Sequence, residues 1–219
     1  MATEQIDVVY PMEKEKEINR LANQHDVIKD AMRGLLFAKL DLSGTPLRIL
    51  DSGTADGTWI RDLAASCPDV QHQYVGTDID PSNFPANPPS RTTYQRQNIN
   101  EEWPQEWKGS FDLVHQRLAL AGGGSAQKPA VLRLVDLVKP GGWIQLIEAT
   151  NVLPEGNGEV MRGFVGLMND VFTIMGANLK LMEDLPGWLE EAGLVDVQSK
   201  LVELNLGPLN PNPRLATQG

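Results

Sequence analysis

Residues 47–63 have the sequence LRILDSGTADGTWIRDL, and this stretch decides the fold that we predict for the chain. Its first part, residues 48–51, has the character of a short buried strand that ends in the carboxylate of Asp51. Small residues follow at 52–57, and apolar side chains then recur with helical spacing at Trp59, Ile60 and Leu63. A glycine turn lets the backbone approach a ligand closely, and a helix N-terminus offers unpaired N–H groups. The pattern is typical of a ligand site at a strand–helix turn, and equally of a plain strand–helix connection.

The composition of the chain is that of a globular protein with one core and room for a small cap. It has 219 residues, of which 41% are hydrophobic and 22% charged, and its net charge is −10. Lysine and arginine are scattered and form no basic patch, so we expect neither a nucleic-acid partner nor an anionic membrane surface. Cys67 is the only cysteine, and the three histidines lack metal-site spacing, which predicts no metal. The sequence has no apolar signal core or membrane-spanning run, which predicts a cytoplasmic protein.

A second strand is predicted at residues 73–78, and it ends in Asp78, 21 residues beyond Gly57. That offset suits a carboxylate that accepts both ribose hydroxyls of a nucleoside cofactor. Further strands are predicted at 92–97, 111–115, 143–148 and 195–205, and helices at 12–40 with a break at Gly34, 58–65, 129–138, 160–175 and 184–192. The predicted order is a helix, four strand–helix units and a fifth strand, which indicates an α/β sheet with mostly parallel strands.

Five polar residues fall at predicted strand ends, where ligands of such sheets bind. They are Asp51, Asp78, Asn98, His115 and Glu148. Two helices outside the core each leave two interpretations open. The polar stretch 19–25 is either a solvated helix face or a lid whose Gln24 and His25 face a ligand. The methionine-rich helix 160–175 is either ordinary core or the wall of a pocket for irregular apolar ligands.

Five segments taken together resemble the class I S-adenosylmethionine-dependent methyltransferases. They are RILDSGTADGTW at 48–59, VGTDID at 75–80, QNINEEW at 97–103, FDLVHQRL at 111–118 and LVKPGGWIQLIE at 137–148. The resemblance covers about residues 12–205 and is nearest to the fungal group of LaeA-like proteins and N- or O-methyltransferases of secondary-metabolite clusters. It implies a Rossmann-like α/β fold, a mostly parallel central sheet with helices on both faces, and a helical cap over the active site.

The resemblance also implies which residues bind the cofactor, S-adenosylmethionine, whose product is S-adenosylhomocysteine. The implied cofactor residues are Asp51, Ser52, Gly53, Ala55, Gly57, Trp59, Asp78, Ile79, Asn98, Ile99, His115 and Gln116. In the family, the glycine-rich turn passes beside the methionine moiety, the acid matched by Asp78 binds the ribose, and the position of Asn98 contacts the adenine amine. Ala55 stands where the family usually has glycine, and its methyl group is the smallest departure from that pattern.

Two absences point to a small-molecule acceptor. The segment after residue 114 is HQRL, not the Asn/Asp-Pro-Pro-Tyr element of enzymes that methylate bases or glutamine, and no catechol-type metal cluster is present. His115 and His25 are the candidate catalytic bases, with Glu148 a weaker one. The predicted acceptor contacts are Tyr10, Gln24, His25, Arg117, Met161, Phe164 and Met168.

Three other functions remain open at this stage. They are a LaeA-like regulatory protein, a methyltransferase fold recruited for non-methyl chemistry such as cyclisation, and an NAD-type Rossmann enzyme. The last is disfavoured because LDSGTADG lacks the GxGxxG spacing.

The predicted organisation has four parts. Residues 1–46 form the helical cap, 47–150 the cofactor-binding core, 151–180 a helical insertion for the substrate pocket, and 181–219 a terminal helix and strand. No seventh strand follows the strand predicted at 195–205. An unpaired edge is a pairing liability, so we expect either a chain shortened relative to the family or pairing with another segment or subunit, as in a homodimer.

Overall fold

The computed structural model describes residues 14–150, 152–153 and 155–217. Its helices are α1 (Lys14–Met32), α2 (Thr58–Ser66), α3 (Gln127–Val135), α4 (Glu159–Ile174), α5 (Leu181–Glu191) and α6 (Pro213–Ala216). Its strands are β1 (Arg48–Ser52), β2 (Gln73–Asp78), β3 (Thr92–Arg96), β4 (Phe111–Arg117) and β5 (Val138–Ile147). The predicted strand at 73–78 is confirmed residue for residue, and the other four core strands are confirmed with shifted ends.

The five strands form one parallel sheet in the order β3-β2-β1-β4-β5. The strand order reverses between β1 and β4, and in open α/β sheets a ligand crevice lies at such a switch point. At that position Asp51 of β1 is paired in register with Gly76 of β2 on one side and with His115 of β4 on the other. The predicted Rossmann-like parallel sheet is confirmed.

Successive residues of the inner strands pack on opposite faces of the sheet, as the two-residue period of a strand requires. Ile49 of β1 and Leu113 of β4 join a cluster with Trp59 and Leu63 of α2. The next residues along the same strands join a second cluster, which contains Leu50, Val114, Trp103, Trp107 and Leu134. Both faces of the sheet are therefore covered, and this explains why its inner strands are almost continuously apolar.

The helix predicted at 12–40 ends earlier than the sequence suggests, at Met32. Arg33 has a left-handed φ of 57° and Gly34 a φ of 151°, so the chain leaves the helix at the predicted break and does not resume it. The irregular segment that follows is held by the buried side chain of Gln145 in β5. Its Oε1 accepts from the backbone N–H groups of Phe37 and Ala38, and its Nε2 donates to the carbonyl of Leu35.

The prediction of four strand–helix units is wrong for two of the four connections. Between β2 and β3, and between β3 and β4, the described chain has only short 3₁₀ turns, Pro81–Asn83 and Gln105–Trp107. The reason is the proline content of residues 81–89 and 104, because proline lacks the N–H and the torsional freedom that an α-helix interior requires. Gln116 and Arg117, predicted to leave β4, remain in the strand and pair with β5.

The strand predicted at 195–205 is also wrong. Residues 194–206 have no regular structure, Asp196 has a left-handed φ of 57°, and Val195 is 84% exposed. A strand needs a hydrogen-bonded neighbour, and the alternating pattern of a sequence does not supply one. Within the described residues the sheet has five strands, and no helix of that part is long and apolar enough to cross a membrane.

Gly76 is the position where the sheet has least room for a side chain. A Cβ atom there would lie 2.5 Å from two ring carbons of Tyr94 and 3.0 Å from Cγ2 of Thr54. Gly76→Ala is therefore expected to lower the free energy of unfolding by about 1–3 kcal/mol through overpacking, measured by urea denaturation. Gly163→Ala in α4, where nothing lies within 4 Å of an added Cβ, is the matched control and should be neutral or stabilising by up to about 1 kcal/mol. Equal stability of Gly76→Ala and the wild type would contradict the packing described here.

Candidate functional site

A cleft lies at the carboxyl ends of β1 and β4, at the switch point of the sheet. Its non-atom space is about 390 Å³, a figure that includes the part open to solvent. The residues that line it are Leu21, Gln24, Asp51, Gly53, Thr54, Ala55, Asp56, Thr58, Trp59, His115 and Arg117. The glycine turn, the start of α2, the end of β4 and one face of α1 thus meet at one place.

Asp51 and His115 form a buried pair at the floor of the cleft. Asp51 Oδ1 accepts from His115 Nδ1 at 2.7 Å, and Asp51 Oδ2 accepts from the hydroxyl of Thr54 at 2.7 Å. Both members of the pair are almost fully enclosed, at 3% and 0% exposure. Both carboxylate oxygens of Asp51 therefore accept hydrogen bonds from the protein itself, and these bonds join β1, β4 and the turn between β1 and α2.

The ring of His115 lies flat against the indole of Trp59, with centroids 3.8 Å apart and an interplanar angle of 1°. Because the carboxylate of Asp51 can only accept, Nδ1 carries the proton and Nε2 has a free lone pair. No hydrogen-bond partner for Nε2 is found among the described residues. Burial lowers the pKa of His115, and the hydrogen bond that His115 donates to Asp51 opposes that shift only in part. The imidazole is accordingly neutral at neutral pH.

Asp78, at the end of β2, holds the glycine turn from the side. Its Oδ2 accepts from the backbone N–H of Ala55 at 2.8 Å, and its Oδ1 accepts from the N–H of Asp80 at 3.0 Å. Burial raises the pKa of Asp78, and the two N–H donors oppose the shift. Ala55 adopts a left-handed φ of 48°, which is the conformation that favours glycine at this position of the family pattern.

Helix α2 begins at the far end of the turn with a capping network that was not predicted from the sequence. Gly57 has a φ of 72°. Asp56 Oδ1 accepts from the N–H of Thr58 and Oδ2 from its hydroxyl, while Arg61 donates to Asp56 Oδ2 at 2.9 Å. The spacing Asp-x-Thr at a turn is a local capping signal that could have identified these residues. In this network the negative charge of Asp56 is balanced by the guanidinium of Arg61.

Helix α1 covers the cleft from one side and contributes Leu21 and Gln24 to its lining. His25 does not face the cleft directly but lies buried behind it. Its Nε2 hydrogen-bonds Asp62 Oδ2 of α2 at 2.9 Å, and its Nδ1 hydrogen-bonds the guanidinium of Arg117 at 3.2 Å. Lys29 donates to the same Asp62 oxygen. Asp62 was not predicted, since nothing local in the sequence distinguishes it from an ordinary helix-surface acid.

The remaining predicted residues divide into three groups by position. Ser52 and Gln116 lie buried beneath the cleft, where the Ser52 hydroxyl donates to Gln116 Oε1 at 2.8 Å. Ile79, Asn98 and Ile99 follow β2 and β3 at the same edge of the sheet and are not part of the cleft lining. Tyr10 lies outside the described residues.

The third group, on α4, is not brought to the cleft. Met161, Phe164 and Met168 do not line it, and no residue of α4 is buried. The interpretation of this helix as ordinary core is wrong for the described chain, because Val160 and Ile174 are 89% and 86% exposed. The methionine content of α4 therefore did not indicate where the helix lies.

Glu148 directly follows the last residue of β5 and is not among the residues that line the cleft. Its Oε1 accepts from the N–H groups of Ala119 and Leu120, which fixes the connection that follows β4. Burial raises the pKa of Glu148 to about 7 from an ordinary value of 4.5, although these two donors oppose the shift. A carboxyl whose pKa is higher in the folded state favours folding below its unfolded pKa, and that contribution is lost as the pH rises through the folded value.

Between about pH 5 and pH 7.5 the wild type should therefore lose about 1–3 kcal/mol more of its free energy of unfolding than Glu148→Gln. The glutamine oxygen can accept the same two N–H groups without ionising. Urea denaturation of both proteins across this pH range measures the difference. Parallel pH profiles would show that Glu148 does not titrate in this range.

Comparisons with known proteins identify similar sequences among the fungal methyltransferases. The chain is 39% identical over 208 residues to the N-methyltransferase gliN of Aspergillus fumigatus, covering 92% of this chain and 73% of the relative. It is 41% identical over 206 residues to the N-methyltransferase sirN of Leptosphaeria maculans, covering 91% and 70%. It is 40% identical over 193 residues to the methyltransferase psoC of Aspergillus fumigatus, covering 87% and 70%. No family model matches the chain.

Solved structures share the fold at low sequence identity. The methyltransferase in a complex with the Trm112 methyltransferase activator of Haloferax volcanii aligns with a TM-score of 0.60 at 15% identity, over 86% of this chain and 77% of that one. An O-methyltransferase family protein from Burkholderia thailandensis aligns with a TM-score of 0.58 at 14% identity, over 85% and 57%. The sequence relatives and the fold agree: the chain has the class I methyltransferase fold and belongs to the methyltransferase group that contains the fungal proteins gliN, sirN and psoC.

Proposed function

We propose that the cleft binds S-adenosylmethionine and that the enzyme transfers the methyl group to a nitrogen atom of a small-molecule acceptor. The observation that carries the proposal is the convergence of the glycine turn, Asp78 and the Asp51–His115 pair at the switch point of the sheet. Four of the relatives, gliN, sirN, tcpN and verN, are named N-methyltransferases. We extend that acceptor atom to this chain on the strength of those names.

The residues at the cleft suit the proposed cofactor. The carboxylate of Asp78 is the group that would accept the two ribose hydroxyls, and the small residues 53–57 allow the cofactor to lie close to the backbone. Three buried polar atoms here have no partner among the described residues, namely Trp59 Nε1, His115 Nε2 and Gln116 Nε2. Buried polar atoms are normally paired, so unpaired ones beside a cleft favour a ligand that supplies the missing partners.

Asp78 has a second task in this proposal. Its carboxylate accepts from the backbone N–H groups of Ala55 and Asp80, and thereby holds the glycine turn in place. A carboxylate has about four lone-pair sites, so two would be left to accept the ribose hydroxyls while the turn stays held. Asn98 and Ile99, at the same edge, would contact the adenine base.

In this proposal the protein accelerates methyl transfer mainly by positioning the acceptor against the methyl group. When bound, S-adenosylmethionine supplies a methyl group on a sulfonium, which is already an activated leaving group. Leu21 and Gln24 of α1 would exclude water and hold the acceptor in line with that methyl group, and alignment of this kind accounts for much of the acceleration of two-substrate reactions. The acceptor pocket is assigned to the α1 side of the cleft, whose lining also includes Arg117.

A base is needed only if the acceptor is protonated or carries a proton at neutral pH. His115 is the better of the two candidates, because Asp51 orients its ring and its Nε2 is neutral and unpaired. In His25 both ring nitrogens are occupied, by Asp62 and Arg117. We therefore assign the proton acceptor to His115 and a supporting position to His25.

Two measurements test the proposal. Calorimetric titration with S-adenosylhomocysteine should show saturable binding, and its absence would contradict the cofactor assignment. Mass spectrometry should then follow methyl transfer from S-adenosylmethionine to amines, matched with compounds in which a hydroxyl replaces the amine. Methylation of the amines alone supports the nitrogen acceptor. Methylation of the hydroxyl compounds alone would assign oxygen and overturn that part of the proposal.

A further inference from the structure

The guanidinium of Arg117 is the one strong cation in the lining of the cleft, and no partner of opposite charge neutralises it within the described chain. Its hydrogen bond goes to a neutral ring nitrogen, His25 Nδ1, at 3.2 Å. A guanidinium has five N–H donors, so most of them are unused by the protein. Burial lowers the pKa of Arg117, and the charges of Asp51 and Asp56 oppose the shift without contacting it.

Asp51 and Asp56 are the carboxylates whose charges act on Arg117. Neither pairs with the guanidinium, because each already accepts hydrogen bonds from other residues. Asp51 accepts from His115 and Thr54. Asp56 accepts from Thr58 and Arg61. A half-buried cation with unused donors is costly unless an anion joins it, and the cleft is the open side from which an anion can arrive.

The other side of Arg117 is held in place through His25. Asp62 accepts from His25 Nε2, so the proton of the neutral ring is on Nε2 and the lone pair of Nδ1 points to the guanidinium. Burial lowers the pKa of His25, which preserves this neutral form. The chain of contacts from Asp62 through His25 to Arg117 thus fixes one edge of the guanidinium and leaves its other donors available.

From this arrangement we propose that Arg117 is the carboxylate receptor of the cleft, with His25 and Asp62 as positioning residues. The inference rests on the proposed function and deepens it. The planar fork of an arginine matches a carboxylate with two parallel hydrogen bonds. The carboxylate comes from one of two sources, the amino-acid end of the cofactor or an acidic acceptor.

The first arm of the test compares two ligands that differ at the amino-acid end. S-adenosylhomocysteine carries the α-carboxylate and the α-ammonium, and 5′-deoxy-5′-methylthioadenosine has the same nucleoside without either. Because a guanidinium attracts the carboxylate and repels the ammonium, an effect of Arg117 confined to the first ligand reports on the carboxylate. Calorimetric titration of the wild type and Arg117→Gln should show a loss of about 10- to 100-fold in affinity for the first ligand and none for the second. His25→Ala should show a smaller loss with the same selectivity, which a merely structural defect would not produce.

The second arm addresses the acceptor. Benzoate, a simple carboxylate, is titrated into wild-type protein saturated with S-adenosylhomocysteine. Binding that disappears in Arg117→Gln would assign the receptor to the acceptor instead of the cofactor. Arg117→Lys, which keeps the charge but not the fork, should retain part of the affinity in whichever arm responds.

Arg133→Gln is the matched control. Arg133 lies on α3 and forms an ion pair with the exposed Glu102, and the substitution removes one positive charge. It should change neither ligand's affinity. Selective loss in either arm supports the receptor, whereas unchanged binding of both ligands and of benzoate in Arg117→Gln overturns it while leaving the proposed function intact. If the wild type binds neither nucleoside, the proposed function itself fails, and the receptor with it.

Discussion

Replacing Asp51 with alanine is expected to lower the free energy of unfolding by about 1–3 kcal/mol for each of the two buried donors that lose their acceptor. Asp51 is 3% exposed and joins three elements, since it accepts from His115 of β4 and from Thr54 of the turn while lying in β1 between its two sheet neighbours. Alanine leaves the His115 Nδ1–H and the Thr54 hydroxyl buried without an acceptor, and it removes volume at the centre of the sheet. Urea denaturation followed by circular dichroism measures the loss, which is a large part of the stability of a typical domain.

Two conservative variants separate the contributions to this effect. Asp51→Asn keeps the shape and one acceptor oxygen, and should cost about 1–3 kcal/mol. Thr54→Val removes only the hydroxyl contact and should cost about 1 kcal/mol. An Asp51→Ala protein as stable as Thr54→Val would show that the buried pair contributes little to folding.

Asp78→Ala is expected to weaken the binding of S-adenosylhomocysteine by about 10- to 150-fold, equivalent to about 1.5–3 kcal/mol. Two effects of the carboxylate are lost together. The ribose hydroxyls lose a charged acceptor, and the N–H of Ala55 loses the contact that holds the glycine turn in place. Calorimetric titration measures the change.

Asp80→Ala is the matched control for charge, because Asp80 lies two residues further on and its Oδ1 accepts from the N–H of Ser82. It should bind the ligand within about twofold of the wild type, a difference of about 0.4 kcal/mol. Asp78→Asn keeps one acceptor oxygen and should fall between the wild type and Asp78→Ala. If Asp78→Ala and Asp80→Ala weakened binding equally, the effect would be one of general charge and the ribose assignment would be wrong.

The central part of the fold could be predicted from the sequence because its signals are local. The strand at 73–78 is an apolar run between turn residues, and the turn at 52–57 has the glycines that its left-handed torsions require. A buried strand followed by such a turn leaves few alternatives in an α/β sheet. The sequence therefore predicts which residues form the glycine turn, and Gly53, Ala55 and Trp59 of this segment line the cleft.

The contacts between distant segments could not be predicted in the same way. His25 meets Asp62 and Arg117 at sequence separations of 37 and 92 residues, and no local pattern encodes those pairs. Residues 195–205 alternate like a strand, but alternation describes a half-buried surface and cannot provide the neighbouring strand. Helix α4 shows the same limit, because its apolar residues predicted burial, whereas none of them is buried in the described chain.

The end of α1 at Arg33 and Gly34 is a fixed point about which the helix can rotate. The residues just after this point are hydrogen-bonded to Gln145 of β5, which holds this end of α1 at the edge of the sheet. Gln24 lies eight residues before Met32, about 12 Å along the helix at 1.5 Å per residue. A rotation of α1 by about 10° about this end would therefore displace Gln24 by about 2 Å. Such a rotation would widen the entrance of the cleft only by breaking the hydrogen bonds that join His25 and Lys29 of α1 to Asp62 of α2.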